Sequence, residues 1–174
     1  MTQYPDFLAG QRLTATLLGA TVPDITVKSA AQVRTSTTTY ADDSELSGIT
    51  LSVGTWEVIN KVFMTGGSAG IAIKTQWSFT GTWNSPLRML IGPTAANTTA
   101  PASSPALTHA PVLWNADSIY GLSTSGAYQR VIEESRNVIV TGAGDYAFRW
   151  APNVSNANSG GIQAASSVTV RRIA

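Results

Sequence analysis

Gly66-Gly67-Ser68-Ala69-Gly70 spells the letters of a nucleophile elbow, where a serine sits on a sharp turn between a strand and a helix. Such a serine also needs a histidine base and an orienting acid. Here the residues that follow, Ile71 to Phe79, alternate with period two and predict a strand rather than a helix. The chain's single histidine, His109, lies far along in a Pro/Ala/Thr-rich stretch. The glycine-rich segment therefore reads as a hairpin turn. With no cysteine in the chain, His109 completes no zinc set and reads as a loop histidine.

Asp42, Asp43 and Glu45 could offer oxygens to calcium, but the spacing lacks the glycine and the later bidentate glutamate of a calcium loop. A solvated acidic turn is the expectation. Glu133 and Glu134 are adjacent in an expected strand, so their side chains point to opposite faces and make a poor acid–base pair. Five tryptophans invite a sugar-binding reading, since flat rings stack on sugar faces. Trp77 and Trp150 lie on the apolar sides of alternating runs and are expected in the core. Trp83 and Trp114 flank the proline-rich stretch and form the candidate ligand rim. No phosphate loop, dinucleotide fingerprint or internal repeat is present. The expectation is a non-enzyme without cofactor or metal.

The elements that would carry these residues are strands. Leu46 to Trp83 reads as three in succession, broken at Gly54-Thr55 and at Thr65-Gly66-Gly67-Ser68. Ile71, Ile73, Trp77 and Phe79 face one way in the last of them. A Thr-rich strand is expected at Ala31–Tyr40, and a short one at Arg88–Ile91. Residues 92–111 hold several prolines, which remove ladder donors, so they read as a long exposed loop. Strands resume at 112–114, 118–122, 127–141, 145–154 and 167–173. In Asp145–Val154, Tyr146, Phe148 and Trp150 share one side. Val168 and Val170 point inward in the last strand. Strands this closely spaced leave no room for crossover helices, so the sheets should be antiparallel and form a two-sheet sandwich, most simply a jelly roll. Residues 1–28 differ. Pro5-Asp6 can open a short helix that Gly19 would close, with Phe7, Leu8, Leu13, Leu17 and Leu18 as apolar surface. A helix that short is marginal alone and must pack on something. The expected organisation is an arm over 1–28 and a β-sandwich domain over 29–174.

The totals narrow the function classes. Lys and Arg number 11 and Asp and Glu 10, so no basic excess awaits phosphates and nucleic acid is not an expected partner. Charged residues make up 12% of the chain, about half the usual share. Thr, Ser, Ala, Gly and Asn replace them, a composition suited to life inside an assembly. No apolar run reaches the roughly 20 residues that span a bilayer, and MTQYPDFLAG lacks a signal-peptide pattern. The expectation is a soluble protein made in a cytoplasm, with no membrane partner.

Arg12-Leu13-Thr14-Ala15, Leu17-Leu18, Val22-Pro23 and Val27-Lys28 open the chain. Ser36-Thr37-Thr38-Thr39, Asp42-Asp43, Leu46 through Leu51 and Gly54-Thr55-Trp56 follow. This run resembles small structural proteins of tailed actinobacterial phages, described as decoration, head-fibre or minor tail proteins. The resemblance covers residues 10–80. It implies a virion location, capsid or tail proteins as partners, and a homo-oligomer, a trimer of jelly rolls similar to tumour-necrosis-factor or C1q heads. Within that expectation Phe7, Leu8, Leu13, Leu17 and Leu18 anchor the arm to the particle and the sandwich is displayed. The competing expectation is a carbohydrate- or host-receptor-binding module of a phage tail or adhesin, reading host-surface glycan through Trp83 and Trp114.

Overall fold

The computed structural model describes residues 10, 12, 14, 22–66, 71–93, 107–122, 128–155, 157 and 160–173, leaving aside the side chains of 107–110. Among the described residues there are thirteen strands and no helix. They are β1 (Asp24–Val27), β2 (Gln32–Arg34), β3 (Ala41–Leu51), β4 (Gly54–Thr65), β5 (Ile73–Phe79), β6 (Thr82–Trp83) and β7 (Leu87–Gly92). The rest are β8 (Leu107–Leu113), β9 (Ser118–Tyr120), β10 (Gln129–Gly142), β11 (Gly144–Pro152), β12 (Gly160–Ile162) and β13 (Ser167–Arg172).

All pairings are antiparallel and fall into two sheets. The larger runs β1-β13-β4-β10-β7-β8, with β12, β2 and β6 joined beside it; the smaller runs β3-β11-β5-β9. The chain thus forms the all-β, two-sheet antiparallel sandwich that the alternation predicts. Eight strands carry it: β1, β3, β4, β5, β9, β10, β11 and β13. The first, eighth, third and sixth of these lie side by side in one sheet, and the second, seventh, fourth and fifth in the other.

The core lies between the sheets. Trp77, Tyr146, Phe148 and Trp150 from the smaller sheet meet Val58, Val62, Val131, Val138, Val140, Val168 and Val170 from the larger. These are the inward positions of period-two runs, as expected for Trp77, Trp150, Val168 and Val170. At the sandwich end, Gly144 and Gly81 pack backbone on backbone, and a Cβ on Gly144 would lie 2.6 Å from the Gly81 Cα.

Several expectations change. β1 lies inside the segment drawn as an arm, pairing Asp24–Val27 with Val170–Ser167, so the sandwich begins by Asp24. The helix expected after Pro5 lies outside the described residues. The strand expected at 31–40 is extended only at Gln32–Arg34. β4 and β5 belong to different sheets, so the glycine-rich segment after Thr65 joins sheets rather than closing a hairpin; residues 67–70 lie outside the described residues. The loop drawn as 92–111 ends early. Leu107–Leu113 is a strand on the edge of the larger sheet, where Pro111 costs no interior ladder bond; residues 94–106 lie outside the described residues.

Candidate functional site

The acidic run is solvated only in part: Asp42 and Ser44 are exposed and Glu45 is partly so, but Asp43 is not. β3 carries extra residues between Asp42, opposite Arg149, and Ser47, opposite Ala147, so Asp43–Leu46 bulges from the ladder. Asp43 turns inward and is fully buried. Its Oδ1 accepts from Lys28 Nζ at 2.8 Å and from the backbone N–H groups of Glu45 and Leu46 at 3.0 and 3.1 Å, and its Oδ2 accepts from Trp150 Nε1 at 3.1 Å. Glu45 accepts from Ser29 N and Oγ, both 2.7 Å, and from Ala30 N at 3.2 Å. The Ser29 hydroxyl first, then its N–H, hold the Glu45 carboxyl down to about 2. Asp42 pairs with Arg149 at 3.0 Å. Lys28 Nζ lies between Asp43 and Glu45, 3.5 Å from Glu45 Oε1, and among the described residues no group of acids or histidine could hold a metal.

A second buried carboxylate organises the core between β5, β7, β9 and β10. Glu133 and Glu134 do point to opposite faces, and Glu133, the inward one, is fully buried. Its Oε1 accepts from Thr75 Oγ1 at 2.5 Å and Tyr120 OH at 3.0 Å; its Oε2 accepts from Trp77 Nε1 and Arg88 NH1, both at 2.8 Å. Four donors fill a carboxylate's acceptor sites, so no lone pair is free to take a proton from a substrate. Arg88 also donates from NH2 to Ala116 O at 2.6 Å and Ser118 Oγ at 3.0 Å. Because β7 and β10 lie in one sheet and β5 and β9 in the other, this cluster bolts the sheets together. Tyr146 OH donates to Asn60 Oδ1 at 3.0 Å in a third cross-sheet link. Burial raises the Tyr120 and Tyr146 phenols well above their ordinary value, keeping both neutral donors.

The structure brings the two rim tryptophans together. Trp83 and Trp114 meet edge to face with centroids 5.1 Å apart, and Trp83 stacks on Phe79 at 4.6 Å. Both are half-buried against the core, and Trp114 N–H donates to Pro86 O at 3.0 Å. They plug the end of the sandwich beneath residues 84–86. Beside them Asn84–Leu87 and Ser135–Asn137 line an open depression of about 380 Å³ at the bulge in β10. Neither tryptophan lines it.

The most unusual surface lies on β7 and β8. β7 is inverted: Arg88 and Leu90 point into the core, while Leu87, Met89 and Ile91 point outward, 54%, 43% and 37% exposed. Leu113 on β8 lies directly opposite Leu87 and is 49% exposed; Ile132 on β10, half-buried, lies opposite Ile91. These side chains form one apolar ridge. On the β10 side Glu134 lies opposite Met89 with Arg136 3.4 Å from it, and the row of charge runs on away from the ridge through Glu57, 3.7 Å from Arg136, to Arg171, 2.9 Å from Glu57. The signal in the sequence was the arginine inside an apolar run, Leu87-Arg88-Met89-Leu90-Ile91. The arm residues Phe7, Leu8, Leu13, Leu17 and Leu18 lie outside the described residues.

No family model matches the chain, and no curated protein matches it. A solved structure of infectious bursal disease virus, Gx strain, is similar over 86% of this chain at 13% identity with a TM-score of 0.20. This chain spans 40% of the length of that one. A score that low carries no argument about fold or function.

Proposed function

We propose that this chain is a non-enzymatic structural protein of a phage virion, a capsid decoration, head-fibre or tail-associated part. Its first residues bind the particle and its sandwich is displayed. One observation carries the reading. The groups suited to chemistry, Glu133, Asp43 and Arg88, are buried inside the sandwich and bonded to one another or to core donors and acceptors, while the open surface offers apolar and hydroxyl side chains. Such a surface binds; it does not catalyse.

The interleaving of the eight main strands supports a jelly roll, an architecture common to capsid and lectin domains. That is analogy at the level of fold, and the particle assignment rests on the resemblance over residues 10–80. In this reading the arm before Asp24 attaches through Phe7, Leu8, Leu13, Leu17 and Leu18. Copies assemble as a homo-oligomer, a trimer, so that weak single contacts multiply. Deleting residues 1–21 leaves every described strand intact. The truncated protein is expected to fold and to lose occupancy on particles by ten-fold or more. Full occupancy of the truncated protein on purified particles refutes the arm.

The Trp83–Trp114 contact favours a second reading, a glycan-binding module at the sandwich end. Saturable binding on a glycan array that Trp114→Ala abolishes, with the fold retained, supports it over display alone.

A further inference from the structure

We propose that the outer apolar ridge of β7 and β8, Leu87, Met89, Ile91 and Leu113, is where copies of this chain meet. The inference rests on the reading of the chain as an assembling structural protein and assigns the surface that reading leaves open.

The first argument is the inversion of β7. A sheet with one face in water places apolar residues inward and charges outward. β7 departs from this, burying Arg88 beside Leu90 and exposing three large apolar side chains. A strand that is apolar on its outer side belongs to a sheet that is covered on both faces. Elsewhere on the outer face apolar residues are interspersed with charge or lie apart: β4 alternates Glu57, Ile59, Lys61 and Phe63, and β1, at the opposite edge, exposes Ile25 and Val27. β10 presents Arg130, Glu134 and Arg136 outward, and β13 presents Ser167, Thr169 and Arg171. The apolar area is thus a ridge on the β7–β8 side, contiguous through the Leu87–Leu113 and Ile91–Ile132 pairs. Four side chains about half exposed make a patch on the order of a few hundred Å², the size that marks interaction sites on monomers.

The second argument selects the occupant. A strongly basic or acidic partner would leave one sign of the bordering charge unpaired. Glu134 and Arg136 beside the ridge are opposite in sign, and the whole chain carries a formal +1, so a second copy meets no net repulsion and finds both signs facing it. Side chains close to a rotation axis meet their own symmetry mates, so a ridge of like apolar residues around an axis is complementary to itself. An apolar centre with a mixed polar rim is also the usual anatomy of a subunit contact. The patch falls short of the roughly 800 Å² per partner of a standard interface, so the isolated contact should be in the micromolar range.

The test is sedimentation velocity of the full chain over about 1–300 µM, a range that brackets micromolar association. Wild type is expected to move from monomer towards a closed oligomer as concentration rises. Met89→Lys and, separately, Leu113→Lys place a charge on the ridge at exposed positions. Each is expected to weaken association at least about ten-fold, with circular dichroism and melting temperature unchanged. If one variant fails to fold, the other carries the comparison. Wild type monomeric across the whole range, or association unaltered in a folded variant, overturns the proposal. Particle occupancy of these variants is a separate readout. A chain that associates through the ridge yet is absent from particles refutes the virion reading alone, and a chain present on particles with its association untouched by Met89→Lys refutes the ridge alone.

Discussion

Replacing Arg88 by methionine tests what holds the sandwich together. Arg88 is fully buried and donates to Glu133 Oε2, Ala116 O and Ser118 Oγ. Methionine keeps the unbranched stem and removes the guanidinium. Glu133 is then a buried carboxylate with no counter-charge, a situation that costs about 3–5 kcal/mol. Three donors remain on it, from Thr75, Trp77 and Tyr120, and each hydrogen bond to a charged group offsets part of that loss. The lower half of the range, about 3–4 kcal/mol, is therefore expected, or roughly 6–16 °C in melting temperature for a chain of this size. Glu133→Gln strands the guanidinium instead and should cost a similar amount. The double variant buries no charge. Its glutamine oxygen can accept from Trp77 Nε1, and its amide can donate to the Thr75 and Tyr120 hydroxyls. It should lose less than either single variant, about 1–2 kcal/mol. Urea unfolding followed by tryptophan fluorescence measures all three, with Trp77 bonded directly to the altered carboxylate. Additive losses in the double variant, or an Arg88→Met protein within about 1 kcal/mol of wild type, would refute the reasoning.

Glu45 makes the acid side of the stability curve testable. Its carboxyl is held from 4.5 down to about 2 by the Ser29 hydroxyl and N–H, so its contribution is present above pH 4.5 and is lost as pH falls towards 2. Glu45→Gln should melt below wild type at pH 7, with the gap closing between pH 4.5 and 2; a gap constant with pH rules the contribution out. Gly144→Ala should destabilise by at least about 1–3 kcal/mol, because the new Cβ meets the Gly81 backbone and neither glycine can yield. An unchanged melting temperature in that variant means that the two turns are not packed as described.

Alternation was readable wherever one face of a strand is core. Tyr146, Phe148 and Trp150 in β11, and Val168 and Val170 in β13, fall inward for that reason alone. Legibility failed where a distant partner reverses the meaning of a residue. Asp43 looks like part of a solvated turn until Lys28, 15 residues before it, and Trp150, 107 residues after it, are brought to its oxygens. β1, Asp-Ile-Thr-Val, is short, and its strand character comes from pairing with β13 at the far end of the chain. β8 was hidden by proline, whose cost vanishes at a sheet edge. The positions of Trp83 and Trp114 on either side of the proline-rich stretch do not bring them together; that they meet and both pack on the core comes from β6 pairing with β10 and from the Trp77 backbone N–H donating to Trp114 O.

β7 shows how one residue, Arg88, connects stability to surface. Hydrophobic pattern alone would turn Leu87, Met89 and Ile91 inward and Arg88 outward, since that register buries three large side chains and leaves the charge in water. A one-residue slip exchanges the two faces, so register must be set by something stronger than the pattern. The Glu133 carboxylate supplies it. Thr75, Trp77 and Tyr120 donate to it, and the cation that pairs with it, Arg88, is on β7. Specifying register is the best-attested use of a buried charge. The apolar ridge is then a consequence of the same pair: burying Arg88 is what puts Leu87, Met89 and Ile91 outside. Removing the pair should therefore disturb association more than its loss of stability alone would, because β7 without Arg88 has reason to turn its ridge inward.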